Sequence, residues 1–432
     1  MAAIKLVYIG GGATRAPGTL ASFVQHAAHF AGSEIVLVDV EPADMELARR
    51  VGQRFIEAAG ADLRLTATTD RQAALSDADV VLSSFRPGGF AARRLDELLP
   101  LNHGVIGQET QGPGGFFMAL RAIHVFQTLV AEMERLCPNA WLINYTNPIN
   151  IISEAITHHS AIRTISLCEG PIVFPREVVA ACGLDPAKLD ATMIGLNHAC
   201  WSVRHEYDGA DVIPLLRDAL ERVQADPTIT LALKRRVELA AVMGHLPPHY
   251  AQYYYYHDEL LEELRTAPQT RAETIMAEVP LYRTHYQLQA EASQPFLDPA
   301  VSRGGIMELE LAVDVIAALV NDRNLVYPCN VPNNGAITTF AADRVVEVPC
   351  LVNRHGATPV VSGAVPAPVV GLVQMLGAYQ ALTAEAAWSG DRQAAIRALA
   401  SNPLVFDLRK ATAIYDEMAA AHRAFLPERL LR

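Results

Sequence analysis

A short apolar strand, Ile4 to Ile9, runs straight into Gly10-Gly11-Gly12-Ala13-Thr14-Arg15; a helical stretch follows, and a second strand ends on Asp39. That order commits the chain to parallel pairing, because the second strand can return beside the first only through a crossover on one face of a sheet. Glycines at such a turn let backbone amides approach a pyrophosphate at the helix N-terminus. Gly10, Gly11, Gly12, Ala13, Thr14 and Arg15 are therefore expected to cradle a dinucleotide. Asp39 is placed to accept from a ribose hydroxyl and would repel a 2′-phosphate, which favours NAD over NADP. Arg15 stands where the fingerprint has its third glycine, and its guanidinium faces either the cofactor phosphates or a substrate anion.

The alternation continues through the first half. Strand-like runs at Glu34 to Asp39, Leu63 to Thr68, Asp79 to Ser84, Trp141 to Tyr145 and Arg163 to Leu167 are separated by amphipathic stretches such as Ala43 to Ala59 and Phe116 to Leu136. The pattern predicts an α/β fold with a Rossmann-like, doubly wound sheet. After His198 the texture turns helical (Pro214 to Ala225, Ile229 to Val242, Tyr254 to Leu264, Arg271 to Leu288, Glu308 to Val320), with strand material near Val345 to Val352. With 432 residues to place, two units are expected: a NAD-binding part over 1–197 and a mainly helical, substrate-binding α+β part over 198–432.

The formal charge of -12, from 35 basic and 47 acidic residues, comes without a basic stripe, so nucleic acid is not an expected partner. No window holds 18 uninterrupted apolar residues, and the start enters a strand without a secretory pattern; no membrane span and a cytoplasmic location are expected. Six scattered cysteines, none in a CxxC pair, fit reduced thiols.

Four later segments are too unusual for routine core: Gly107 to Gly115, Asn144-Tyr145-Thr146-Asn147-Pro148, Cys168-Glu169-Gly170-Pro171 and Gly195-Leu196-Asn197-His198. Three of them sit at strand ends, where open α/β sheets bind ligands, so they should converge on one crevice. Cys168 and His198 are possible metal ligands there. Taken alone, such a pair is more often a buried thiol and a satisfied histidine.

These segments resemble glycoside hydrolase family 4, the NAD- and metal-dependent glycosidases distantly related to lactate and malate dehydrogenases. The similarity is nearly end to end. It takes in the Gly10 turn, Phe85-Arg86-Pro87-Gly88-Gly89, Gly107 to Gly115, Asn147-Pro148, Cys168 and Gly195 to His198, and continues through the Tyr250 to Asp258 tract, Arg303-Gly304-Gly305 and Val331 to Ile337. The resemblance implies that Cys168 and His198 hold a divalent metal, usually manganese. It implies a reaction in which NAD takes hydride from sugar C3, a base removes the C2 proton, the aglycone is eliminated, water adds, and the hydride returns. That route differs from the two-carboxylate displacement of most glycosidases.

By the same resemblance Tyr250 is the base, with Tyr253 second; burial of a phenol in this tract is the plainer alternative. Asn147 would touch cofactor and sugar, Arg93 would line the pocket, Arg271 would reach the sugar or its phosphate, and Glu109 would order hydroxyls or water. The residue after the metal cysteine tracks substrate in the family: aspartate, asparagine or histidine in its different branches. Here it is Glu169, a departure from all three and a candidate general acid. The Tyr253 to Asp258 and Gly195 to Trp201 segments look most like the 6-phospho-β-glucosidase branch. The alternatives are an α-galactosidase or α-glucuronidase of the same family acting on free sugars, and a 2-hydroxy-acid dehydrogenase. Family members are commonly homodimers or homotetramers.

Overall fold

The computed structural model describes residues 3–303 and 311–432. Among the described residues twelve strands join in one sheet: β1 (Lys5–Ile9), β2 (Ser33–Val38), β3 (Leu63–Thr68), β4 (Val80–Ser83), β5 (Trp141–Asn144), β6 (Arg163–Ser166), β7 (Leu189–Leu196), β8 (Ala199–Tyr207), β9 (Ala210–Asp211), β10 (Leu325–Pro332), β11 (Val345–Asn353) and β12 (Gly356–Pro359). Their order is β3-β2-β1-β4-β5-β6-β10-β11-β7-β8-β9, with β12 on β11. The first six pair in parallel, in the doubly wound order. The remaining pairings are antiparallel.

Period-two burial explains why the parallel strands lie between helical layers. In β1, Val7 and Ile9 face a core with the helix Gly112–Leu136, while Leu6 and Tyr8 face a second core with the helices Ala16–Gln25 and Leu311–Val320. Gly112–Leu136 is apolar and long enough to span a bilayer, but 72% of its most apolar window is buried in the protein. Its Phe116 and Phe117 are fully covered, each worth roughly 2–3 kcal/mol of apolar burial.

The six strands read from sequence are present within a residue or two of their expected ends. Beyond the strand material expected near Val345 to Val352, seen as β11, and the strand end expected at Gly195 to His198, seen as the end of β7, the sheet gains β8 and β10 from a part of the chain expected to be mainly helical. The Tyr254 to Leu264 stretch is also two helices, Gln252–Tyr255 and His257–Thr266. Of the expected Glu308 to Val320 helix, Leu311–Val320 is seen, and residues 308–310, like Gly304 and Gly305, lie outside the described residues.

One row of residues crosses the sheet at the carboxyl ends of the parallel strands. Ser83 pairs with Asn144, Asn144 with Ser166, Ser166 with Asn330, Asn330 with Glu347 and Glu347 with Gly195. The β6–β10 and β11–β7 pairings consist of a single residue pair each. Ser83 Oγ donates to Asn144 Oδ1 at 2.9 Å, and Asn330 Nδ2 donates to the Ser166 carbonyl at 3.3 Å and to Glu347 Oε1 at 3.0 Å. The loops following β5 and β6 and the β7–β8 turn all leave from this row.

Candidate active site

The glycine turn is shaped by the strands beneath it. Gly10, at φ +92°, would place a Cβ 2.2 Å from the Ser84 carbonyl oxygen, and a Cβ on Gly11 would meet Leu37 at 2.8 Å. Only glycine fits these positions. The amides of Gly10 and Gly11 donate to the Val38 carbonyl at 2.9 and 3.1 Å. Gly12 donates to Asp39 Oδ2 at 2.8 Å, so Asp39 braces the turn as well as lying at the end of β2. The helix Ala16–Gln25 that follows has no side-chain cap at its N-terminus, an arrangement suited to an anion. Arg15 lines a small pocket with Tyr8, Thr19, Ser84 and Tyr145.

The other predicted residues gather above the polar row. His198 sits in the two-residue β7–β8 turn at φ +65°, a left-handed conformation rare for histidine. Its ring stacks on Tyr250, with centroids 3.7 Å apart and planes 17° from parallel. Gln111 Nε2 lies 3.4 Å from His198 Nδ1, and Tyr254 Oη donates to Gln111 Oε1 at 2.7 Å. Which ring nitrogen carries the proton is set by the end of the Gln111 amide that faces it. Burial drives the imidazole down to about 3, with Glu109 partly opposing, so the ring is neutral at pH 7.

Cys168 follows β6 and is half-buried; its Sγ accepts from Gly170 N at 3.4 Å. Burial, with Glu347 and Glu169 adding to it, pushes the thiol far above its ordinary range. Tyr250 feels burial most, then Cys168, Glu109 and Tyr253, and its phenol is also pushed up against a hydrogen bond with Thr110. Tyr253 rises to about 12 for the same first reason. The protein's own side chains thus hold the thiol and phenols protonated; a cation placed among them would favour the thiolate and phenolate forms.

Glu109 joins this group to a set of arginines. Burial alone would raise its carboxyl, but Arg86, Arg93, His198 and Arg303 outweigh it and hold it lowered. Arg93 is buried, pairing with Glu97 at 2.7 Å and with Glu109 at 2.8 Å; it is not a surface ion pair. Glu97 Oε2 in turn accepts from Ala272 N at 2.8 Å, which fastens the start of the helix Arg271–Gln289 beside Arg93. Arg271 opens that helix with an exposed side chain at the rim. Arg303 stacks over Phe90, 5.5 Å from the ring centroid, and its amide donates to Tyr286 Oη, which donates to the Thr14 carbonyl at 2.7 Å. The nucleotide turn and the arginine set are thereby tied together.

Among the described residues, Asn147 Oδ1 and Arg86 Nη1 in the crevice are buried without a partner. Glu169 is half-buried and accepts from Tyr145 Oη at 2.9 Å. Among the described residues no group of three or more His, Cys, Asp and Glu could hold a metal. An ion on Cys168 and His198 would keep most of its positions for ligand oxygens, as a catalytic rather than structural site does. Sequence reading missed the bracing roles of Gln111 and Arg86, although both lie in segments it singled out. It also missed Glu347, whose signal was a lone carboxylate inside the apolar run Val345-Val346-Glu347-Val348.

Comparison with known proteins gives two pattern matches: "Family 4 glycosyl hydrolase" over residues 5–184 and "Family 4 glycosyl hydrolase C-terminal domain" over 193–405. The chain is 34% identical over 438 residues to a probable 6-phospho-beta-glucosidase of Bacillus subtilis (strain 168), covering 98% of both chains. Among solved structures it resembles the Thermotoga maritima 6-phospho-beta glucosidase with NAD and glucose-6-phosphate (TM-score 0.86, 25% identity, 98% and 99% of the two chains). It also resembles a 6-phospho-alpha-glucosidase from gut microorganisms in complex with NAD and Mn2+ (TM-score 0.86, 25% identity, 99% of each).

Proposed function

Since this chain belongs to the family 4 glycosyl hydrolases, we propose that it cleaves 6-phospho-β-glucosides, using NAD and a divalent metal, with manganese the first choice. The observation that carries the reading is the convergence of Cys168, His198, Tyr250 and Glu109 in one buried group beside an arginine set. An excess of arginine over carboxylate in an otherwise acidic chain suits a phosphorylated sugar.

The residues fit both the cofactor and the metal. The uncapped helix start, the close-packed glycine turn, Asp39 and the orphaned Asn147 Oδ1 suit NAD; the neutral His198 and the Cys168 sulfur suit the metal. Together these groups supply reversible hydride exchange and Lewis-acid polarisation of sugar oxygens. Tyr250 Oη accepts the C2 proton, and its stacking on His198 sets the phenol beside the metal position. Glu169, oriented by Tyr145, hands a proton to the departing glycosidic oxygen at C1. Arg93 and Arg271 hold the phosphate, Asn147 touches the sugar hydroxyls, and Glu109 keeps Arg93 and Arg86 in place. We divide the chain into an NAD-binding part, residues 1–197, which also lends Arg93, Asn147, Cys168 and Glu169 to the sugar site, and a substrate-binding part, residues 198–432, which adds His198, Tyr250 and Arg271. We assign a cytoplasmic enzyme with six reduced thiols, working as a homodimer or homotetramer.

The test is a panel of nitrophenyl glycosides with and without a 6-phosphate, supplied with NAD, Mn2+ and a thiol reductant. Turnover of the phosphorylated β-glucoside, with C2 deuterium incorporated from D2O into product, is expected. Activity confined to unphosphorylated sugars would overturn the substrate, and product without C2 exchange would overturn the role of Tyr250.

A further inference from the structure

Cys168 and His198 reach the crevice from different parts of the sheet. Cys168 stands two residues beyond Ser166 at the end of β6, and His198 three residues beyond Gly195 at the end of β7. Between them lie β10 and β11, and each of the two joints, Ser166 with Asn330 and Glu347 with Gly195, is one residue pair. Backbone pairing that sparse cannot by itself hold two ligands at a fixed separation. Side chains fill the gap. Glu347, 1% exposed, accepts through Oε1 from Asn197 Nδ2 and Asn330 Nδ2, both at 3.0 Å. Asn197, 4% exposed, has its backbone amide on Asn150 Oδ1 at 3.2 Å.

We infer that Asn197, held by Glu347, is a positioning residue for the metal: Glu347 Oε1 takes the side-chain amides of Asn197 and Asn330, Asn330 also holds the Ser166 carbonyl, and this chain of bonds sets the β7–β8 turn that carries His198 against the end of β6 that carries Cys168. The inference rests on the assignment of Cys168 and His198 as metal ligands. The bridge uses an Nδ2 hydrogen of Asn197, which aspartate could not supply and glutamine could not place at the same length. Outer-sphere groups of this kind hold ligand orientation, and their loss weakens metal affinity about 10–100-fold.

The experiment is metal binding rather than turnover. Mn2+ affinity is measured from the EPR signal of the free ion, and Co2+ is added separately to read the sulfur-to-cobalt charge-transfer band. NAD binding serves as a check that each variant is folded. Asn197→Ala is expected to lose about 10–100-fold in Mn2+ affinity and to shift or weaken the cobalt band. Glu347→Gln keeps an acceptor oxygen for both asparagines and should stay within a few-fold of the parent, while Glu347→Ala should match Asn197→Ala. Because Glu347 acts through Asn197, the double variant Asn197→Ala/Glu347→Ala should bind no more weakly than either single one. Parent-like affinity and band in Asn197→Ala would overturn the inference, as would fully additive losses. Should Glu347→Ala fail to fold, Asn197→Ala with the cobalt band decides alone. If the parent's cobalt band survives Cys168→Ser, the ligand assignment itself has failed, a result distinct from either of these.

Discussion

The glycine turn and the Cys168 crevice lie at the same end of one sheet, yet they are built on opposite terms. At the turn the glycine backbone is bonded internally: Gly10 and Gly11 bond to Val38, Gly12 bonds to Asp39, and missing side chains let the backbone lie against β2 and Ser84. In the crevice the groups are at odds with their surroundings. The imidazole of His198 is pushed down, the Cys168 thiol and Tyr250 phenol are pushed up, and Asn147 and Arg86 keep buried polar atoms unpaired. A dinucleotide platform has only to be the right shape. A reactive site must store groups in states that a ligand will change.

Substitutions can break that contrast. The largest effect is expected from Tyr250→Phe, which removes the proton acceptor and should lower kcat about 10²–10⁴-fold. Thermal unfolding should show the variant nearly as stable as the parent; full activity would remove Tyr250 from the chemistry. Gly10→Ala should do the reverse by acting on the scaffold, since the added Cβ meets Ser84 O at 2.2 Å in a left-handed backbone. A loss of about 2–4 kcal/mol in urea unfolding is expected, with NAD affinity falling alongside.

Glu109→Gln sharpens the comparison from the crevice side. The depressed carboxyl adds stability that is complete above the ordinary glutamate range, about pH 4.3, and fades as pH falls through its lower folded value. The variant should therefore be less stable by about 1–3 kcal/mol at pH 7, and the gap should close on acidification. A gap that widens toward low pH would contradict the direction given for Glu109. The smallest effect belongs to Asp39→Asn: asparagine still accepts from Gly12, so stability should hold while NAD Kd rises roughly fivefold, or about 1 kcal/mol, and discrimination against NADP narrows.

How much the sequence disclosed follows the same division. The turn and the six parallel strands were readable because local rules govern them: β-rich runs, glycine before a helix and a carboxylate one strand later. β10 hides behind Pro328 and Pro332, which read as breakers, and Pro328 in fact pairs with Pro349 of β11. β7 and β8 are half-polar and meet the rest of the sheet through one residue pair, so no run of local pattern announced them. Cys168, His198 and Tyr250 were reached through resemblance to the family. The stacking of Tyr250 on His198, the burial of Arg93 and the role of Glu347 depend on contacts between residues far apart in the chain, which no spacing rule encodes.

The single-pair joints on either side of β10 and β11 have a kinetic consequence. Protection against amide exchange accumulates where neighbouring bonds must open together, and a lone rung has no neighbours to share the load. The backbone hydrogen bonds that cross these two joints should therefore open earlier than those of the continuous ladders β1–β2, β1–β4 and β10–β11. An ion bound on Cys168 and His198 would clamp both joints from above, slowing exchange along that line while leaving the parallel strands at their original rate.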